Sequence, residues 1–67
     1  MLEITNKQKF PVQLLVKSKK GIRSFTVLNI AGIGQGKNIY LLDEERATEY
    51  IDRAVKDGLI STRIINK

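Results

Sequence analysis

The chain has 67 residues, enough for one domain of residues 1–67 near the size at which a core is marginal, because so short a chain buries only about 60% of its unfolded surface. It contains no cysteine and no histidine, which removes disulfides, thiolate metal sites and the commonest general base and metal ligand. Its net charge of +5 is uneven: residues 1–40 hold seven bases against Glu3 alone, whereas residues 41–67 are almost balanced.

Leu2 to Thr5 reads as a short leading strand or as the start of the first, and Asn6 to Lys9 is polar and turn-like. Phe10 to Lys17, FPVQLLVK, reads as a strand whose early Pro11 suits an edge position. Ser18 to Gly21 reads as a hairpin connection, since glycine supplies the positive φ that such turns use. Ile22 to Ile30 is a second strand rich in β-branched and aromatic residues, Ala31 to Gly36 a loop, and Lys37 to Leu42 a third strand.

A helix is expected from Asp43 to Gly58. Ala47, Tyr50, Ile51, Ala54 and Val55 fall on one helical stripe. Asp43 is placed as the N-cap, Glu44 and Glu45 complement the dipole, and Gly58 with Leu59 fits a Schellman ending. Ile60 to Ile65 reads as a closing strand. The expected fold class is α+β, a small β-β-β-α-β domain in which an antiparallel sheet carries one helix on one face.

Both faces of the strands are apolar, which is more than one helix covers. Val12, Leu14, Val16, Phe25, Val27, Ile39 and Leu41 are expected to form the core face against the helix stripe. Leu15, Leu28, Ile30 and Tyr40 are left over, and they are the expected protein interface. A curled, barrel-like sheet that hides these four internally is the competing expectation.

No residue constellation identifies a reaction. The run AGIGQGK at Ala31–Lys37 has the glycines of a phosphate-cradling loop. It lacks the Walker spacing, the following Ser or Thr, and a following helix. Glu45, Glu49 and Asp52 alternate with Arg46, Arg53 and Lys56, the composition of a solvated helix face with helix-spaced ion pairs. The expectation is a non-enzymatic protein with no catalytic residue, cofactor, metal or small-molecule substrate.

The segment Asn38–Ser61, NIYLLDEERATEYIDRAVKDGLIS, resembles the strand-helix-strand ending of short accessory proteins encoded by tailed bacteriophages. The resemblance implies a small virion or assembly component, capsid- or tail-associated, and carries over no functional residue. The residues themselves point the same way, to a structural or interaction protein that joins a homo-oligomer or larger assembly. The alternative is a small basic nucleic-acid-binding module that uses Lys17, Lys19, Lys20, Arg23 and Lys37 for phosphate, with Tyr40 or Phe25 for stacking. No apolar run approaches the roughly 20 residues of a membrane span, and the opening MLEITNKQKF lacks a signal peptide's apolar stretch. A virion or cytoplasmic location is expected, with no membrane partner.

Overall fold

The computed structural model describes residues 1–19 and 23–65. Five strands are present: β1 (Leu2–Asn6), β2 (Val12–Lys17), β3 (Phe25–Ile30), β4 (Ile39–Leu42) and β5 (Ile60–Ile64). One α-helix, α1 (Glu49–Lys56), follows a single 3-10 turn at Glu44–Arg46. This is the α+β class expected, all its strand pairs antiparallel, but the order is β-β-β-β-α-β rather than β-β-β-α-β, because Leu2–Asn6 is a strand of its own, and the strands divide into two sheets, β4-β1-β5 and β2-β3. The short leading strand is the central one of the larger sheet. The proposed extension of β3 back to Ile22 lies outside the described residues, as do Lys20 and Gly21.

β1 fixes the inside of the larger sheet because its own pattern alternates. Leu2, Ile4 and Asn6 face inward, whereas Glu3 and Thr5 face outward; Ile4 and Asn6 are fully buried. Residues directly opposite in an antiparallel pair share a face. Tyr40 and Leu42, opposite Ile4 and Leu2, therefore point inward, and Ile39 and Leu41 point outward. The expected core assignment of Ile39 and Leu41 is thus reversed, and both are exposed.

The same logic corrects the hairpin. Val12, Leu14 and Val16 are buried, as expected. Their partners across the ladder are Ile30, Leu28 and Thr26, so Leu28 and Ile30 enter the core. Phe25 and Val27, opposite Lys17 and Leu15, face out and are 57% and 55% exposed. The closing pair is Ser18 and Ser24, whose N–H and C=O meet at 2.9 Å. A turn one residue different in length would have shifted the register by one and inverted every side chain of β3.

The helix begins six residues after Asp43. Asp43 instead opens the 3-10 turn, its carbonyl accepting from the Arg46 N–H, and Ala47 and Thr48 are extended. Thr48 occupies the N-cap position but its hydroxyl donates to the Leu15 carbonyl at 2.6 Å, bracing the helix start against β2. Ile51 and Ala54 are buried between the helix and the sheets, with Tyr50 and Val55 exposed at the margins of the stripe. The helix ends as its residues demand. Gly58 takes φ +78, Leu59 N–H donates to Ala54 O, and Gly58 N–H donates to Val55 O, a complete Schellman motif.

Asn6 is the buried polar residue of the core. Its Nδ2 donates to the carbonyls of Phe10, Ile30 and Ala31, and its Oδ1 accepts the Gln8 N–H in an Asx-turn. Its backbone N–H and C=O are held by the carbonyl and the side-chain amide of Asn38. One residue thus joins the end of β1 to the start of β2 and the end of β3 through its side chain, and to the approach to β4 through its backbone.

Two substitutions test this core. Ile51→Ala is expected to cost about 2–5 kcal/mol, because Ile51 is 1% exposed; urea unfolding measures it, and an unchanged midpoint contradicts the placement of the helix. Asn6→Leu leaves the Phe10 and Ala31 carbonyls and the Gln8 amide without their side-chain partner and takes a second donor from the Ile30 carbonyl. At about 1–3 kcal/mol for each buried polar group so stranded, the variant is expected to populate the unfolded state at room temperature, as read by loss of amide dispersion in NMR spectra.

Candidate docking surface

The apolar side chains left outside the core collect on the outward faces of the two sheets. On β2-β3 the outward positions are Gln13, Leu15, Lys17, Phe25, Val27 and Asn29, with Leu15 directly beside Val27. Leu15 and Val27 also line a groove of about 390 Å³ that continues to Tyr50 and Arg53 of α1 and to Asp57 at its C-terminal end. Phe25, with Lys17, borders a second groove of about 570 Å³ at the opposite end of the helix, where Glu49 and Asp52 add negative charge. The outcome is an apolar strip running from β3 across β2 to the first turn of α1. On the larger sheet, Ile39 and Leu41 form a smaller outward pair beside Thr5 and Glu3.

Of the four interface residues expected from sequence, the structure leaves one at the surface. Leu15 is 36% exposed. Leu28 and Ile30 are 8% and 2% exposed, and Tyr40 is half-buried against the core. The reason is register: in β3 and β4 the inward face is one residue out of step with the expected core face, so Phe25 and Val27 lie outside and Leu28 and Ile30 inside. The signal that finds the right residues is the alternation of β1 together with strand pairing, and only the second of these needs the fold. Leu28, Ile30 and Tyr40 turn inward as the competing expectation had it, but toward a core between two separate sheets rather than inside one curled, barrel-like sheet.

The basic residues do not converge. Lys17, Lys19 and Arg23 are exposed at the closed end of the β2-β3 hairpin, and Lys20 lies outside the described residues. Lys37 is exposed at the other end of β3, beside the Lys7–Lys9 turn. Six strand residues separate the two groups, about 20 Å, which is more than twice the screening length at physiological salt.

The glycine-rich loop is closed on itself rather than open to an anion. Ile33 N–H donates to Gln8 O, Gln35 N–H to Gly32 O, and Gly32 N–H to the Gln35 side chain. Gly32 lies so near the β1-β2 turn that a Cβ there would sit 2.6 Å from Lys9 C and Phe10 N. The loop therefore packs the end of the hairpin onto the larger sheet, which uses the amides of Gly32, Ile33 and Gln35 internally.

Glu45 belongs to the 3-10 turn and Glu49 and Asp52 to the helix, so the three do not share the helical spacing read from sequence. The ion pairs among the described residues are Arg63 with Glu3 at 3.2 Å and the N-terminal amine with Glu44 at 3.8 Å, rather than pairs along the helix. No cluster of three acidic, histidine or cysteine side chains is found among the described residues. Among them, too, no helix is long and apolar enough to cross a membrane.

Paired substitutions distinguish the two faces of the hairpin. Leu28→Glu is expected to unfold the domain, since it buries an unpaired carboxylate in the core. Leu15→Glu is expected to leave the melting temperature within a few degrees, a surface change of roughly 0.5 kcal/mol or less. Thermal unfolding followed by circular dichroism reads both, and the opposite order of stabilities refutes the register. Comparison of the chain with protein-family models, with curated proteins and with solved structures finds no match.

Proposed function

We propose that this is a non-enzymatic interaction protein that works by assembling through the outward face of its hairpin, Leu15, Phe25 and Val27. The observation that carries this reading is the exposure of three large apolar side chains on neighbouring strands, continuous with the groove toward Tyr50. Water contact with such a strip is unfavourable by about 25 cal/mol per Å² of apolar area, which association removes. A chain of 67 residues without metal-binding clusters among its described residues or any disulfide gains most from that added burial. The resemblance of residues 38–61 adds the form of the role, a capsid- or tail-associated subunit of a tailed phage, found in the virion or in the cytoplasm during assembly.

The experiment is hydrodynamic mass of the purified chain with and without nucleic acid, across salt. Association that persists at 0.5 M salt and is lost in Leu15→Glu is the expected result. The nucleic-acid alternative predicts the reverse: binding that falls steeply with ionic strength, with a slope of about −0.7 to −0.9 per phosphate contacted, and that disappears when Lys17, Lys19 and Arg23 are replaced by glutamine. The second pattern, with no self-association or protein complex, refutes the proposal.

A further inference from the structure

The backbone of β3 offers a more specific contact than its side chains. Ser18 N–H donates to Ser24 O, and the register runs on from that pair through Val16↔Thr26, Leu14↔Leu28 and Val12↔Ile30. Residues of β3 with even numbers therefore bond to β2, and the N–H and C=O groups of Phe25, Val27 and Asn29 point away from it. β3 pairs with β2 alone, so among the described residues these outward groups meet no second strand.

The other edges are protected. On β2, the outward carbonyls of Leu15 and Lys17 accept from Thr48 Oγ1 and Arg46 Nε, and Pro11 precedes the strand. β4 is four residues long. β5 carries Arg63 and packs along α1. β3 has none of these devices: from Ser24 to Gly36 there is no charged residue and no proline, and the strand FTVLNI is rich in β-branched and aromatic side chains.

We propose that β3 is the seam of a two-fold dimer, pairing antiparallel with β3 of a second copy so that the two hairpins form one four-stranded sheet centred on Val27. This rests on the reading of the outward hairpin face as an association surface, and it names the partner and the geometry. With Val27 on the axis, Phe25 of each copy lies opposite Asn29 of the other, and all three outward-pointing residues find backbone partners. The occupant follows from charge. Each copy carries +5, yet the edge itself is neutral, so like meets like there without repulsion. Antiparallel pairing also sends Lys17, Lys19 and Arg23 of the two copies to opposite ends of the sheet, whereas parallel pairing would set them side by side. The two Leu15–Val27 patches then join into a single apolar face.

Val27→Pro tests the seam directly. It removes only an outward N–H, leaving the ladder to β2 intact, and proline is tolerated on such an edge. Val27→Lys keeps the N–H and places a charge at the axis, and it decides the matter if the proline variant does not fold. Sedimentation of the wild-type chain is expected to show the 7.6 kDa mass doubling with concentration. Exchange of the Phe25, Val27 and Asn29 amides is expected to slow about tenfold or more as the dimer fills. Both variants should be monomeric with the hairpin preserved. A wild type that stays monomeric at millimolar concentration overturns the dimer. Association that survives both Val27 variants but is lost in Leu15→Glu overturns the seam alone and leaves the apolar face as the docking surface.

Discussion

The arrangement of the two sheets depends on the buried side chain of Asn6. The β1-β2 turn, the start of β2 and the end of β3 bring backbone groups to this side chain, and the approach to β4 is held by the backbone of the same residue. An amide is suited to the position because it offers two donor hydrogens and an acceptor from one planar group, whereas a carboxylate or an alkyl chain of similar size satisfies one kind of group or neither. In a low-dielectric interior such a network is costly when incomplete, and no buried side-chain polar atom lacks a partner among the described residues. The β1-β2 turn, the glycine-rich loop and the start of β4 inherit their positions from this point.

The second constraint is the way α1 is attached. Sequence patterning extends the helix back to Asp43, yet the chain straightens at Ala47 and Thr48 and resumes as helix at Glu49. The hydroxyl of Thr48 and the guanidinium of Arg46 bond instead to two outward carbonyls of β2. A longer helix would carry both groups away from the strand. The domain thus gives up part of a helix to close a sheet edge, and the helix gains a fixed docking angle on β2 and β5.

Edge protection explains why the surface of the protein is asymmetric. Charge, proline, shortness or a covering side chain limits three edges, and the remaining edge lies beside the largest exposed apolar side chains of the hairpin. The basic residues are displaced from that edge to the two ends of the hairpin. Such a division puts the positive charge at the two ends and leaves the flank between them neutral.

Local features were legible in the sequence because their causes are local. The Schellman ending at Gly58 and Leu59, the inward set Val12, Leu14 and Val16, and the antiparallel α+β class each follow from a few neighbouring residues. The faces of β3 and β4 were not legible, since Phe25, Val27, Leu28 and Ile30, like Ile39, Tyr40, Leu41 and Leu42, offer apolar residues on both sides and give period-2 patterning no contrast to read. Pairing made the choice: Ser18 against Ser24 on one sheet, and Leu2 and Ile4 against Leu42 and Tyr40 on the other. The role of Asn6 was hidden for a related reason, because a polar residue after a strand has the composition of a turn, and whether it lies in solvent or in the core depends on segments twenty-five and thirty-two residues away. Sequence by itself determined the antiparallel α+β class, the end of the helix and the lack of cysteine and histidine chemistry. Tertiary structure alone decided which apolar residues meet water, because burial in a two-faced strand is a property of its partner and not of the strand.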